Sequence, residues 1–158
     1  MDMEYVKNLE SILKGMWKEA EKTGDFSIKV EGKIISCHKQ VLAAWSPVIK
    51  GLLSSGMRES NENELVVENF SHQTMKALVD YIYHGRDGEV KNFFENNANT
   101  LDLLKAAHFY QLPLLMKACE YALVNKLTSE NSIEFYKVAK ILNAEILSKV
   151  IIILTVIF

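Results

Sequence analysis

Between Asp25 and Glu59 the chain reads D-F-S-I-K-V-E-G-K-I-I-S-C-H-K-Q-V-L-A-A-W-S-P-V-I-K-G-L-L-S-S-G-M-R-E, and this order leaves little freedom in local structure. Phe26, Ile28 and Val30 alternate with Ser27, Lys29 and Glu31, which is the period of a strand with one buried face. Gly32 supplies the positive φ of a tight turn, and Ile34-Ile35 begins a second strand, so a β-hairpin is predicted. His38 to Ala44 lacks helix breakers. Ser46-Pro47 then provides an N-cap and a first-turn proline for a short helix carrying Val48, Ile49, Leu52 and Leu53. A hairpin thus feeds two helices.

The rest of the chain is mainly helical by periodicity. Val6, Leu9, Ile12, Leu13, Met16 and Trp17 recur at helical spacing with Lys and Glu between them, predicting an amphipathic helix over residues 3–22. Its stripe packs either on its own domain or also on a second copy of the chain. Leu65-Val66-Val67 reads as a short strand, and Ser71 caps a helix with Met75, Leu78, Val79 and Ile82 on one face, ended by Gly85. The polar segment from Asp87 to Asn99 reads as a loop with a short strand near Glu89-Val90. Thr100 is the expected cap of a helix carrying Leu101, Leu104 and His108. Leu112-Pro113 separates it from a second one with Leu115, Ala118, Cys119 and Ala122. After Leu127, a helix capped by Thr128 or Ser129 places Phe135, Val138, Ala139 and Leu142 on one side; a turn at Asn143-Ala144 leads to another helix near Glu145.

The 158 residues suit one domain with a helical appendage. A net charge of −2 gives no basic field for nucleic acid, and none is expected as a partner. The acidic start M-D-M-E-Y-V-K lacks the apolar core of a signal peptide, so a cytoplasmic or nuclear location is expected. The apolar end V-I-I-I-L-T-V-I-F is too short for a bilayer, which needs about 20 residues. No membrane partner is predicted. That end reads as a buried closing helix or strand, as the cut end of a longer parent, or as an exposed adhesive terminus.

Catalytic chemistry finds no support. His38, His72, His84 and His108 form no i, i+4 pair, and Cys37 and Cys119 lack zinc-ligand spacing, so no metal, cofactor or catalytic residue is predicted. Both cysteines read as buried thiols of a reducing compartment. His38 is expected to satisfy backbone groups at the strand-to-helix junction. Trp45 either fills the core or sits at an interface.

The D-F-S-I-K-V hairpin start and the S-C-H-K-Q-V-L-A-A-W-S-P run resemble the opening of a BTB/POZ domain, whose usual pattern is D-V-x-L-x-V, a short turn, then F-x-A-H-[KR]-x-V-L-A-A-x-S-P. The resemblance covers Asp25 to about Lys126, and the segment after Leu127 is similar to the three-box or the start of a BACK domain. It implies an α+β BTB/POZ fold, mainly helical with a small sheet, plus a C-terminal helical pair. The expected parts are a dimerisation helix over 1–22, the BTB/POZ domain over 23–126 and the extension over 127–158. The resemblance further implies a non-enzymatic, homodimeric adaptor that links a cullin-3 ubiquitin ligase to a protein substrate, or an oligomerisation scaffold without a cullin. The dimer interface is expected at Leu9, Leu13, Met16 and Trp17, with Asp25 and Lys39 as a partly buried charged pair. Met57 and Glu59 match the hydrophobic-x-Glu motif of such adaptors, and with Tyr83 they are the expected cullin-binding residues.

Overall fold

The structure, a computed structural model, describes residues 2–56 and 62–157. The chain divides into two compact units, Met1–Lys91 and Asn92–Phe158.

The first unit is built on the predicted hairpin. Strands β1 (Phe26–Val30) and β2 (Lys33–Cys37) pair antiparallel, Phe26 opposite Cys37 and Val30 opposite Lys33. Glu31 and Gly32 turn the chain with φ of 51° and 73°, as a two-residue turn with positive φ at both positions requires. Strand β3 (Glu64–Val67) lies parallel to β1 on its other side, giving the order β2-β1-β3. Alternation decides the faces: Phe26, Ile28, Val30, Ile35, Cys37, Leu65 and Val67 are buried, while Lys29, Ile34 and Val66 face outward.

Helices cover the buried face. Helix α1 (Met3–Lys18) is followed by α2 (Ala20–Thr23) rather than continuing as one helix to residue 22. The break at Glu19, with φ −99° and ψ 7°, brings Ala20 into the core. Gly24 then passes the edge of β2 so closely that a Cβ there would lie 2.5 Å from the Ala20 carbonyl oxygen and 2.8 Å from that of Cys37. Helix α3 (Lys39–Trp45) begins at His38, whose side chain makes no cap. Asp25 makes it instead: its carboxylate accepts the Lys39 N–H at 2.8 Å. Helix α4 (Pro47–Ser54) is capped as predicted, with the Ser46 hydroxyl accepting the Ile49 N–H at 3.1 Å. Helix α5 (His72–His84), capped by Ser71, runs through the core with Met75, Leu78, Val79 and Ile82 buried.

The expected strand near Glu89-Val90 is absent. A 3-10 turn (Gly85–Asp87) and the short helix α6 (Val90–Phe93) stand there. Glu89 disfavours a strand and the two residues have no neighbouring strand to join, so helical hydrogen bonds close locally.

In the second unit, helices α7 (Asn97–Phe109) and α8 (Pro113–Val124) pack as a pair, followed by α9 (Ser132–Ile141) and α10 (Glu145–Ile157). Asn96, not Thr100, caps α7: its Oδ1 accepts the Asn99 N–H at 3.0 Å. Thr100 is inside the helix, donating its hydroxyl back to the Asn96 carbonyl. Thr128 and Asn131 exchange hydrogen bonds ahead of α9. Asn143, with φ of 52°, makes the turn into α10.

The start of α10 is held from a distance. Glu120 on α8 is buried, and its Oε2 accepts the Leu147 N–H at 2.9 Å. A carboxylate there meets both an unpaired amide and the positive end of the helix dipole. Leu147 and Ile151 are buried beside it, but Ile153, Val156 and Ile157 are 54%, 82% and 66% exposed. The closing helix is therefore a packing element in its first two turns only, and the apolar end faces outward.

Two substitutions test these caps. Asp25→Ala should cost about 0.5–2 kcal/mol in urea unfolding, the usual loss for an N-cap. Glu120→Ala leaves a buried amide unpaired and should cost about 1–3 kcal/mol. Hydrogen exchange should localise that loss to residues 145–157, with Glu120→Gln, which keeps an acceptor, milder.

Candidate protein-interaction surfaces

Helix α1 has an apolar face and no buried residue. Leu9 and Ile12 are 44% and 59% exposed, Leu13, Met16 and Trp17 are half-buried, and Met3 and Tyr5 lie open. A surface helix normally covers its stripe against its own core. This one is attached mainly at its end, where the Trp17 ring stacks on Tyr83 with centroids 5.0 Å apart and planes 28° off parallel.

Tyr83 is the floor of that contact. It is 2% exposed, and its hydroxyl accepts the His38 backbone N–H at 3.0 Å and pairs with His38 Nδ1 at 2.9 Å. The other ring nitrogen, Nε2, meets the Thr23 hydroxyl at 3.0 Å. His38 thus joins the end of α2, the start of α3 and the end of α5. Its ring binds side chains rather than the backbone groups expected from sequence, and Thr23 carried no sequence signal because it lies 15 positions away. Tyr83, expected as a cullin-contacting residue, is buried within the single chain, with the Trp17 ring stacked on it.

Asp25 and Lys39, the charged pair expected at a dimer interface, have these contacts within one chain. Asp25 is exposed and holds the Lys39 backbone N–H, while the Lys39 ammonium donates to Asn63 Oδ1. Within one chain, Asp25 acts as a helix cap. Met57 and Glu59 lie outside the described residues. Trp45 is half-buried and meets Tyr81 edge-to-face at 6.2 Å, which favours a packing role.

In the second unit, a groove of about 580 Å³ is lined by the apolar side chains of Leu127, Ile133, Ile151 and Leu154 and by hydroxyls including Thr128 and Thr155. No charged side chain lines it, so it suits the apolar side chains of a partner.

Burial pushes the Cys37 thiol up to about 12, with the nearby Asp25 charge adding to it, and burial raises Cys119 as well. Neither forms the thiolate a nucleophile needs at neutral pH. Asp80 is buried and its Oδ1 lies 2.7 Å from His84 Nδ1. Among the described residues, no group of three or more His, Cys, Asp or Glu is placed to hold a metal ion, and no helix is long and apolar enough to cross a membrane.

Residues 14–127 match the family described as BTB/POZ domain. Among curated relatives, "Kelch repeat and BTB domain-containing protein 8" of Danio rerio is 31% identical over 140 residues, covering 88% of this chain and 22% of the relative. "Kelch-like protein 38" of Mus musculus is 30% identical over 148 residues, covering 94% and 24%. The chain thus spans less than a quarter of the length of these relatives. The "BTB domain of zebrafish PATZ1" superposes with a TM-score of 0.62 at 20% identity, covering 78% of this chain and 94% of that domain. The BTB domain of human Gigaxonin superposes at 0.60 with 24% identity, covering 75% and 91%; both agree in fold. With the hairpin, the capped helix pairs and the family match over most of its length, this chain belongs to the BTB/POZ domain family and is a protein-interaction module.

Proposed function

We propose that this chain is a self-associating adaptor of a cullin-3 RING ubiquitin ligase, recruiting or regulating a protein substrate through further contacts. The observation that carries the first half is the open face of α1. Leu9 and Ile12 are exposed, Leu13, Met16 and Trp17 are half-covered, and the helix buries none of its residues. A twofold-related copy would cover this stripe with the same stripe, as the commonest oligomers do. In such a dimer Asp25 and Lys39 stand at the edge of the α1–α2 segment, where their charges set register rather than affinity.

The cullin half rests on Met57 and Glu59 in sequence. A methionine offers adaptable apolar area, and a carboxylate two positions on fixes orientation. The uncharged groove of Leu127, Ile133, Ile151 and Leu154 supplies a second apolar contact, in the 127–158 helical extension. The kelch-related names of the relatives support an adaptor.

Sedimentation of the wild-type chain at micromolar concentration should show a dimer, and Leu9→Glu with Leu13→Glu a folded monomer. A wild-type monomer overturns self-association. In pull-downs with the N-terminal region of cullin-3, Met57→Ala should weaken binding by about 1–3 kcal/mol, and Met57→Asp should abolish it with the dimer intact. A dimer without cullin affinity identifies an oligomerisation scaffold instead.

A further inference from the structure

Strand β3 is an outer strand of the sheet: the order is β2-β1-β3, and β3 pairs with β1 alone. The Asn63 carbonyl accepts the Ser27 N–H at 3.0 Å, and Ser27 stands level with Glu64. Along a parallel ladder alternate residues turn toward each side, so Asn63, Leu65 and Val67 bond to β1. The N–H and C=O of Glu64 and Val66 therefore point away from the sheet. Among the described residues no backbone hydrogen bond reaches them. Val66 is 47% exposed and Glu68 lies open, so the edge is not roofed over. An unpaired edge of this kind is a template for one more strand.

The side chains decide which strand. Alternation puts Leu65 and Val67 on the buried face and Glu64, Val66 and Glu68 on the outer one. A second copy of β3 is a poor occupant. Antiparallel pairing about a twofold axis at Val66 would set Glu64 opposite Glu68 twice over, and like charges directly opposite destabilise a pair. A segment with Lys or Arg at those two positions is stabilised instead. Among the described residues neither carboxylate is held in an ion pair. The position between them meets Val66, with Lys29 level with it on β1, and so calls for an uncharged β-branched side chain. A groove of about 460 Å³, lined by Lys29, Glu31, Val66 and Glu68 among others, leaves room for the long side chain opposite Glu68.

We propose that the open edge of β3 is a docking site for an extended segment of a partner protein, whose outer face reads basic, β-branched, basic at alternate positions. The segment is added antiparallel, the stabler of the two pairings. Its main chain bonds to Glu64 and Val66, and its two cations meet Glu64 and Glu68. Charge on an edge strand guards against self-pairing; placed at both ends of this one, it also selects the sign of the partner. The site stands whether or not the chain self-associates or meets a cullin.

Two labelled peptides with blocked ends, T-K-V-V-V-K-T and T-E-V-V-V-E-T, test it by fluorescence anisotropy and hydrogen exchange. The lysine peptide should bind and slow exchange of the Glu64 and Val66 amides about fivefold, with residues 75–82 unchanged. The glutamate peptide should bind about tenfold more weakly, and Glu64→Lys with Glu68→Lys should invert that preference. Val66→Pro takes away an outward N–H, a change edge strands tolerate, and should weaken the lysine peptide too. The charge-reversed protein carries the decision if the proline variant fails to fold. Three results overturn the site. The Glu64 and Val66 amides exchange unchanged at about 1 mM lysine peptide; the charge-reversed protein binds that peptide as the wild type does; or exchange there slows with chain concentration alone, which assigns the edge to a second copy.

Discussion

A buried phenol hydroxyl without a partner costs about 1–3 kcal/mol, and much of the first unit is arranged so that Tyr83 has partners. Its hydroxyl lies against His38, which fixes the junction where β2 ends and α3 begins. With His38 turned inward to serve Tyr83, it no longer caps its own helix, and Asp25 at the start of β1 takes over that role. The ring face of Tyr83 needs cover too, and Trp17 supplies it, bringing the end of α1 down onto the core. One buried side chain therefore links the hairpin, α3, α5 and the N-terminal helices.

The same economy explains why the buried polar groups do not read as catalytic. Glu120 is committed to the amide of Leu147. Asp80 holds His84 through one oxygen, while its other oxygen presses against Gly88, where a Cβ would lie only 2.1 Å away. The two thiols stay protonated because burial disfavours their charge. What the molecule offers outward is apolar instead: the face of α1, the groove beside Leu127 and Ile133, and the last turns of α10. Apolar surface of this kind is the material of protein recognition.

Legibility followed sequence distance. The hairpin, the Ser46 and Ser71 caps and the stripe of α5 depend on partners within a few residues, so periodicity and cap chemistry located them. The displaced cap of α7 shows the limit of that reasoning: Asn96 and Thr100 are both good caps, and they ended up bonded to each other. The burial of Tyr83 was not legible because tyrosine is compatible with surface and core alike, and nothing near it in sequence points to Trp17 on α1 as its cover.

The sequence by itself determined the hairpin, the third strand, the helices from Ser71 onward apart from the segment at Glu89-Val90, and the apolar face of α1. These follow from side-chain period and from caps that act over one turn. The tertiary structure alone decided that Tyr83 is buried against His38 and Trp17 and that α10 leaves its end exposed. It also decided that Asp25 caps a helix and that Glu120 anchors one. The Tyr83–His38 bond spans 45 positions and the Glu120–Leu147 bond 27. At such separations no local preference names the partner; only the folded chain, ordered by burial of its apolar core, brings a buried donor and acceptor together, and a group left unpaired there costs about 1–3 kcal/mol.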